Sequence, residues 1–279
     1  MFPALHRFFV YSNLFIALCA VLMVHQTFHF LLEQKTNLNL VGFVFFSTLS
    51  SYSFHWYLTA KSVLPSHRIN WLQRHRNIHF ILFIIGIIGS VFFFWRLLPY
   101  WPWLLCAAIV TFLYSAPKIP NKYFRSLRKV AIGKTIFLAY VWTYVTSVLP
   151  IIVSGVHWHE SYSLFAFSRF FLIYAICILF DYRDRADDRV AGIRSLITWL
   201  NENNITRLFI FSLIVFAVIT CWLSVFGYSY FSIALLLIPG IITAALFNHA
   251  RKHFSDMLYY FVLDGLMALS ALLMLIAGI

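Results

Sequence analysis

The chain has 279 residues, 62% of them hydrophobic and only 11% charged, with a mean hydropathy of +0.84. A single soluble core of this size cannot hide so much apolar surface, so the composition excludes a soluble globular domain and points to a polytopic membrane protein. The net charge of +12 is distributed as membrane topology distributes it, and no nucleic-acid partner is expected.

A spanning helix needs about 20 apolar residues. Nine segments fit that requirement: residues 8–31, 38–60, 79–98, 99–116, 130–153, 164–181, 207–226, 230–249 and 257–279. The runs are too long and too unalternating for barrel strands, so the expected fold is all-α, a single transmembrane domain over residues 1–279. The first segment follows MFPALHR, a charged start like that of a signal peptide. Its apolar run exceeds a signal's and no small-residue cleavage site closes it, so a retained helix is expected. Pro99 and Pro102 crowd the start of the fourth segment. Cys19, Cys106, Cys177 and Cys221 all lie in apolar runs with no C-x-x-C pair, as packing residues do.

If the nine spans alternate from a cytoplasmic N-terminus, all but Lys35, Arg96 and Arg169 of the 21 Lys and Arg fall on the cytoplasmic side. That asymmetry predicts N-in, C-out. The outer connections are short and nearly uncharged. The inner ones are longer: KSVLPSHRINWLQRHRN, PKIPNKYFRSLRKVAIGK and DYRDRADDRVAGIRSL. The first and last of these are separated by four spans and look like counterparts, which hints at an internal duplication. Function is expected on the cytoplasmic face, where loops are held by a rigid scaffold.

The last of those stretches holds four of the chain's nine acids, and no aspartate precedes Asp181. If the sixth helix continues past Phe180, then Asp181, Asp184 and Asp188 share a face at i, i+3 and i+7, with Asp187 beside them. Arg183, Arg185, Arg189 and Arg194 interleave, with Arg185 one turn after Asp181. Gly192 offers a helix stop and Ser195 an N-cap for the next helix. Two readings fit these residues: a divalent-cation site of hard oxygen ligands that suits Mg²⁺, or a solvated ion-pair loop at a helix end. The position at a membrane–water boundary favours the site.

The run DRADDRVAGIRSL, Asp184 to Leu196, resembles the second aspartate motif of the UbiA superfamily of intramembrane prenyltransferases. In that motif DxxxD is followed by a short basic linker, a glycine and an [RK]-[ST]-L-like tail. YSAPKIPNKYFRSLRKVAIGK is similar to the family's helix 4–5 loop, and nine spans with N-in also match. The resemblance implies a UbiA-like helical bundle that takes a polyprenyl diphosphate and a lipophilic, aromatic acceptor at its cytoplasmic face, in a bacterial inner membrane. It implies Asp184 and Asp188 as catalytic residues, Asp181, Asp184 and Asp188 as Mg²⁺ ligands, and Lys61, Arg68, Lys122, Arg128, Lys134 and Arg194 as diphosphate contacts. The family's first motif, NDxxDxxxD, falls on SFHWYLTAK, Ser53 to Lys61, where every expected aspartate is missing. Lys61 and Arg68 are expected to meet diphosphate directly there. The alternative is a catalytically inactive protein of the same fold that binds a lipid (di)phosphate.

Lys134 and Asp264 sit inside apolar segments near the cytoplasmic end, where charges are costly and are paired or functional; a Lys134–Asp264 pair and a ligand role both remain open. His25/His29, His75/His79 and His249/His253 have the i, i+4 spacing of a metal-binding box, but they divide between two membrane faces, which disfavours a di-iron enzyme.

Overall fold

The computed structural model describes residues 4–59, 66–115, 134–190 and 195–279, and among these every regular element is helical. Twelve helices follow one another: α1 (Ala4–Tyr11), α2 (Leu14–Leu31), α3 (Leu38–Leu58), α4 (His67–Arg74), α5 (Arg76–Arg96), α6 (Trp101–Ser115), α7 (Lys134–Ser154), α8 (Glu160–Val190), α9 (Leu196–Trp199), α10 (Glu202–Trp222), α11 (Tyr230–Lys252) and α12 (Leu258–Ala277).

Seven of the described helices, α2, α5, α7, α8, α10, α11 and α12, are long and apolar enough to cross a membrane. The chain is an integral membrane protein. Two of the nine expected segments are not among the seven. α3 has 21 residues but is diluted by Ser47, Ser50, Ser51 and Ser53. α6 has 15 residues, after Pro99 has diverted the chain into a short 3₁₀ turn at Leu98–Tyr100. The first expected span is also broken. Asn13 adopts a left-handed conformation with φ 69° and separates α1 from α2, which an asparagine tolerates better than most residues.

The ends are set by local chemistry. Side-chain oxygens of Asn37, Ser66, Ser195, Asn201 and Ser229 accept backbone N–H groups at the starts of α3, α4, α9, α10 and α11. Ser195 therefore caps as expected, and the capped helix stops at Trp199 before Asn201 starts the next.

α8 is the long central element. It packs against α7, α10, α11 and α12, while α2 closes the bundle against α3 and α12. α3 and α5 form a tight hairpin, because Gly42, Gly86 and Gly89 let side chains of the opposite helix reach the backbone. The apolar side chains of α5 are largely exposed, as lipid-facing residues are.

Arg169 lies about 14 Å along α8 from Glu160, counted at 1.5 Å per residue. It is an interior residue, 6% exposed, and not the outer-face charge that a count of loops suggests. α2 and α7 each contain a π turn, at Thr27–Leu31 and Tyr144–Val148. The Arg169 guanidinium bonds at or beside both: it donates to Met23 O (3.1 Å), Thr27 Oγ1 (3.0 Å), Thr146 O (2.9 Å), Ser147 Oγ (3.0 Å) and Gln26 Oε1 (2.6 Å).

Candidate functional site

The sixth expected span does continue as helix past Phe180, to Val190, so Asp181, Asp184 and Asp188 share a face of α8 at its basic end. Asp181 and Asp188 are buried and converge on one cation. Lys134 Nζ, at the first residue of α7, lies 3.5 Å from Asp181 Oδ1 and 3.5 Å from Asp188 Oδ2. The hydroxyl of Thr135, the next residue, donates to Asp181 Oδ2. Lys134 thus pairs within the motif, while the charges acting on Asp264 are those of Arg68 and Arg183. Arg185, one turn after Asp181, does not pair with it. It turns outward to Glu202 Oε1 (2.5 Å) and Leu200 O (2.9 Å), because the buried position next to Asp181 is taken by Lys134.

Opposite this face stands the segment that replaces the missing first motif. Ser53 Oγ accepts from Asn13 Nδ2 (3.2 Å), and Asn13 Oδ1 accepts from Arg68 Nη2 (2.6 Å). The Arg68 guanidinium lies over the Trp56 and Tyr260 rings, 4.1 Å from each centroid, and the residue is 3% exposed. Asp256 fixes its backbone: Oδ2 accepts the Arg68 N–H at 2.9 Å and Oδ1 the Ser66 hydroxyl at 3.0 Å. Burial pushes the Arg68 guanidinium down from its ordinary value; Tyr260, Asp264 and Asp256 oppose the shift and Arg183 adds to it.

Arg183 joins the two halves. Its Nε donates to Asp184 Oδ1 at 2.9 Å, its Nη2 donates to the Tyr260 hydroxyl, and its guanidinium lies 4.8 and 4.6 Å from the Tyr259 and Tyr260 centroids. Trp56, Tyr260 and Phe180 form a run of rings, with centroids 5.5 and 6.1 Å apart, between Ser53–Leu58 and the acidic face. Two donors in this group, Arg68 Nε and Arg183 Nη1, are buried without a hydrogen-bond acceptor. A buried N–H left unpaired costs about 1–3 kcal/mol, which an anion's oxygen at either atom would recover.

Of the residues expected to meet diphosphate, Arg68 and Lys134 lie at this end of the bundle. Lys61, Lys122, Arg128 and Arg194 lie outside the described residues. Sequence reasoning missed Asn13, Trp56 and Tyr260 as site-forming residues. A polar asparagine just ahead of an apolar run was the one available signal. The His75/His79 box does not form. His75 bonds to Trp71 O and stacks on its ring, whereas His79 is buried with Nδ1 3.4 Å from Asn13 Nδ2. Among the described residues no group of three or more His, Cys, Asp or Glu is placed to hold a metal on its own.

Mg²⁺ does not require such a group, since it is normally held by one or two carboxylates together with substrate phosphates. The residues present fit that mode. Asp181 and Asp188 already point one oxygen each at a single positive centre, with the Lys134 ammonium as a stand-in ion. In the described part of the site, Asp181, Asp184, Asp188, Asp256 and Asp264 also outnumber Lys134, Arg68 and Arg183.

No curated protein and no solved structure matches the chain. The model of the UbiA prenyltransferase family matches residues 58–270. The matched region starts at the end of α3, just past Ser53–Tyr57, and contains the whole acidic face of α8. With most of its length matched and both halves of the site at one end of an apolar helical bundle, the chain belongs to the UbiA prenyltransferase family.

Proposed function

We propose that this protein transfers a polyprenyl group from its diphosphate to a lipophilic, aromatic acceptor at the cytoplasmic face of a bacterial inner membrane. Nine spans with N-in, C-out topology complete that reading, and the loop charges support it. The observation that carries the proposal is the convergence of the acidic face of α8 with Arg68 and Arg183, whose buried donors await an acceptor.

Arg68 and Arg183 would receive the diphosphate oxygens and take up the negative charge that grows as the carbon–oxygen bond to the prenyl C1 breaks. When bound at Asp181 and Asp188, Mg²⁺ would supply Lewis-acid neutralisation of that leaving group. Trp56, Phe180, Tyr259 and Tyr260 would face the allylic cation with ring π-density. The acceptor carbon then bonds to C1 and its proton leaves to solvent. Asp184 holds Arg183 in place, so its role in catalysis runs through that guanidinium.

The test is release of diphosphate by purified protein given prenyl diphosphates of several lengths, Mg²⁺ and aromatic acceptors. Release above an Asp184→Asn/Asp188→Asn control is expected. No release with any pair would leave the second reading, lipid-diphosphate binding without turnover. That reading is favoured by the absence of any acid in Ser53–Lys61.

A further inference from the structure

The acidic face of α8 is satisfied from within the chain. Lys134 Nζ is equidistant from Asp181 and Asp188, at 3.5 Å from each, within ion-pair reach of both. Asp188 Oδ2 is buried and has no hydrogen-bond donor, so the Lys134 ammonium is its only close positive partner among the described residues. Lys134 is the first described residue of α7, directly after the basic connection from α6, and its side chain keeps 25% of its surface exposed. Both carboxylates are nearly closed off, with 7% of each side chain exposed. The cation is therefore the movable member of the triplet and the acids are the fixed ones.

We propose that Lys134 is an exchangeable counter-ion: it occupies the divalent-cation position between Asp181 and Asp188 and yields it only when a diphosphate arrives to accept its ammonium. This rests on the reading of the site given above and adds an order of events to it. An ammonium and a divalent ion cannot share that position. The ion needs the carboxylate oxygens at about 2.0–2.1 Å, and two cations so close repel strongly where water is scarce. Without an anion nearby, displacement of Lys134 moves a positive charge away from two buried carboxylates with nothing to receive it. With a diphosphate present, the ammonium gains a new acceptor by a small rotation of its flexible stem. Free divalent ion is therefore held weakly, and ion and diphosphate load together. The buried pair is never left uncompensated between turnovers, a state that is strongly destabilising.

The test needs no turnover. Mn²⁺ binding to the purified full-length protein is measured by loss of the free-ion paramagnetic resonance signal, without diphosphate. Wild type and Lys134→Arg, which keeps the cation, are expected to bind weakly. Lys134→Gln should bind at least tenfold more tightly, and the gain should vanish in Lys134→Gln/Asp181→Asn/Asp188→Asn. Equal or weaker binding by Lys134→Gln overturns the proposal, as does a gain that survives loss of both aspartates. If Lys134→Gln does not fold, Lys134→Met, which also removes the charge but keeps the length of the apolar stem, takes its place with the same two outcomes. A flat Mn²⁺ result alongside diphosphate release removes the counter-ion role and leaves the prenyltransferase reading intact. The opposite pair of results does the reverse.

Discussion

Replacing Arg169 by leucine should destabilise the bundle, and the structure indicates by how much. Arg169 donates to two backbone carbonyls and four side-chain oxygens, none of them a carboxylate. Hydrogen bonds to a charged group contribute roughly 1.5–3 kcal/mol each. Against them stands the cost of a guanidinium inside the membrane, at least about 2.5–3.5 kcal/mol. After loss of the guanidinium, Met23 O keeps the Thr27 N–H and Thr146 O keeps the Thr27 hydroxyl at 2.7 Å, but Ser147 Oγ loses its Arg169 donor. Gln26 Oε1 retains only the Ser270 hydroxyl at 3.3 Å. Two buried side-chain oxygens, Gln26 Oε1 and Ser147 Oγ, are thus left short of donors, a net loss of about 3 kcal/mol at 1–3 kcal/mol per buried group. For a chain of this size, each kcal/mol moves the midpoint by roughly 2–4 °C, so a fall on the order of 10 °C is expected. Thermal unfolding in detergent, followed by a thiol-reactive dye, measures it. Arg169→Lys should recover only part of the loss, because one nitrogen placed as Nη1 is bonds α2 and α7 but leaves Gln26 Oε1, the partner of Nη2, without that donor. An Arg169→Leu protein as stable as wild type would refute the reasoning, since it would show that the two π turns hold without their common donor.

Three further outcomes follow from the packing and the charges. Lys134→Gln should cost about 3 kcal/mol, the lower end for breaking a buried pair, because its side chain is still 25% exposed; excess Mn²⁺ should restore the melting point by mass action. Gly86→Ala places a methyl 2.7 Å from Ser50 Cβ and 2.8 Å from Phe46 O, and the α3–α5 hairpin should lose roughly 1–3 kcal/mol of stability, read by limited proteolysis of that hairpin. Asp256→Asn weakens the N-terminal anchor of α4 and should cost about 1 kcal/mol there. It should raise KM for prenyl diphosphate several-fold with little change in kcat.

The helices and the acidic face were legible because their signals are local. Apolar runs set α2, α5, α7, α8, α10, α11 and α12, and the i, i+3, i+7 spacing placed Asp181, Asp184 and Asp188 together once α8 ran on to Val190. What the sequence hid is set by tertiary contact. Asn13 reads as one polar residue at the edge of an apolar segment, and only the fold brings it between Ser53, Arg68 and His79. Lys134 could be assigned to either Asp264 or a ligand role until α7 was seen packed on α8. Arg169 sits in a run so apolar that topology counting sends it to the surface. Its partners are backbone carbonyls and uncharged side chains, which no charge pattern reveals. The serines that dilute α3 weaken its signal as a span for a related reason, since Ser50 and Ser53 are spent on contacts with α5 and Asn13.

The most direct test of the account is where a prenyl diphosphate binds. An analogue with a photoactivatable group beside its first isoprene unit, crosslinked in native membranes and mapped by peptide mass spectrometry, should label the peptides that carry Trp56, Phe180 and Tyr260. Unlabelled prenyl diphosphate should compete, and the label should weaken in Arg68→Gln and Arg183→Gln. Labelling confined to the lipid-facing side chains of α5 and α6, or labelling that unlabelled prenyl diphosphate does not displace, would contradict it.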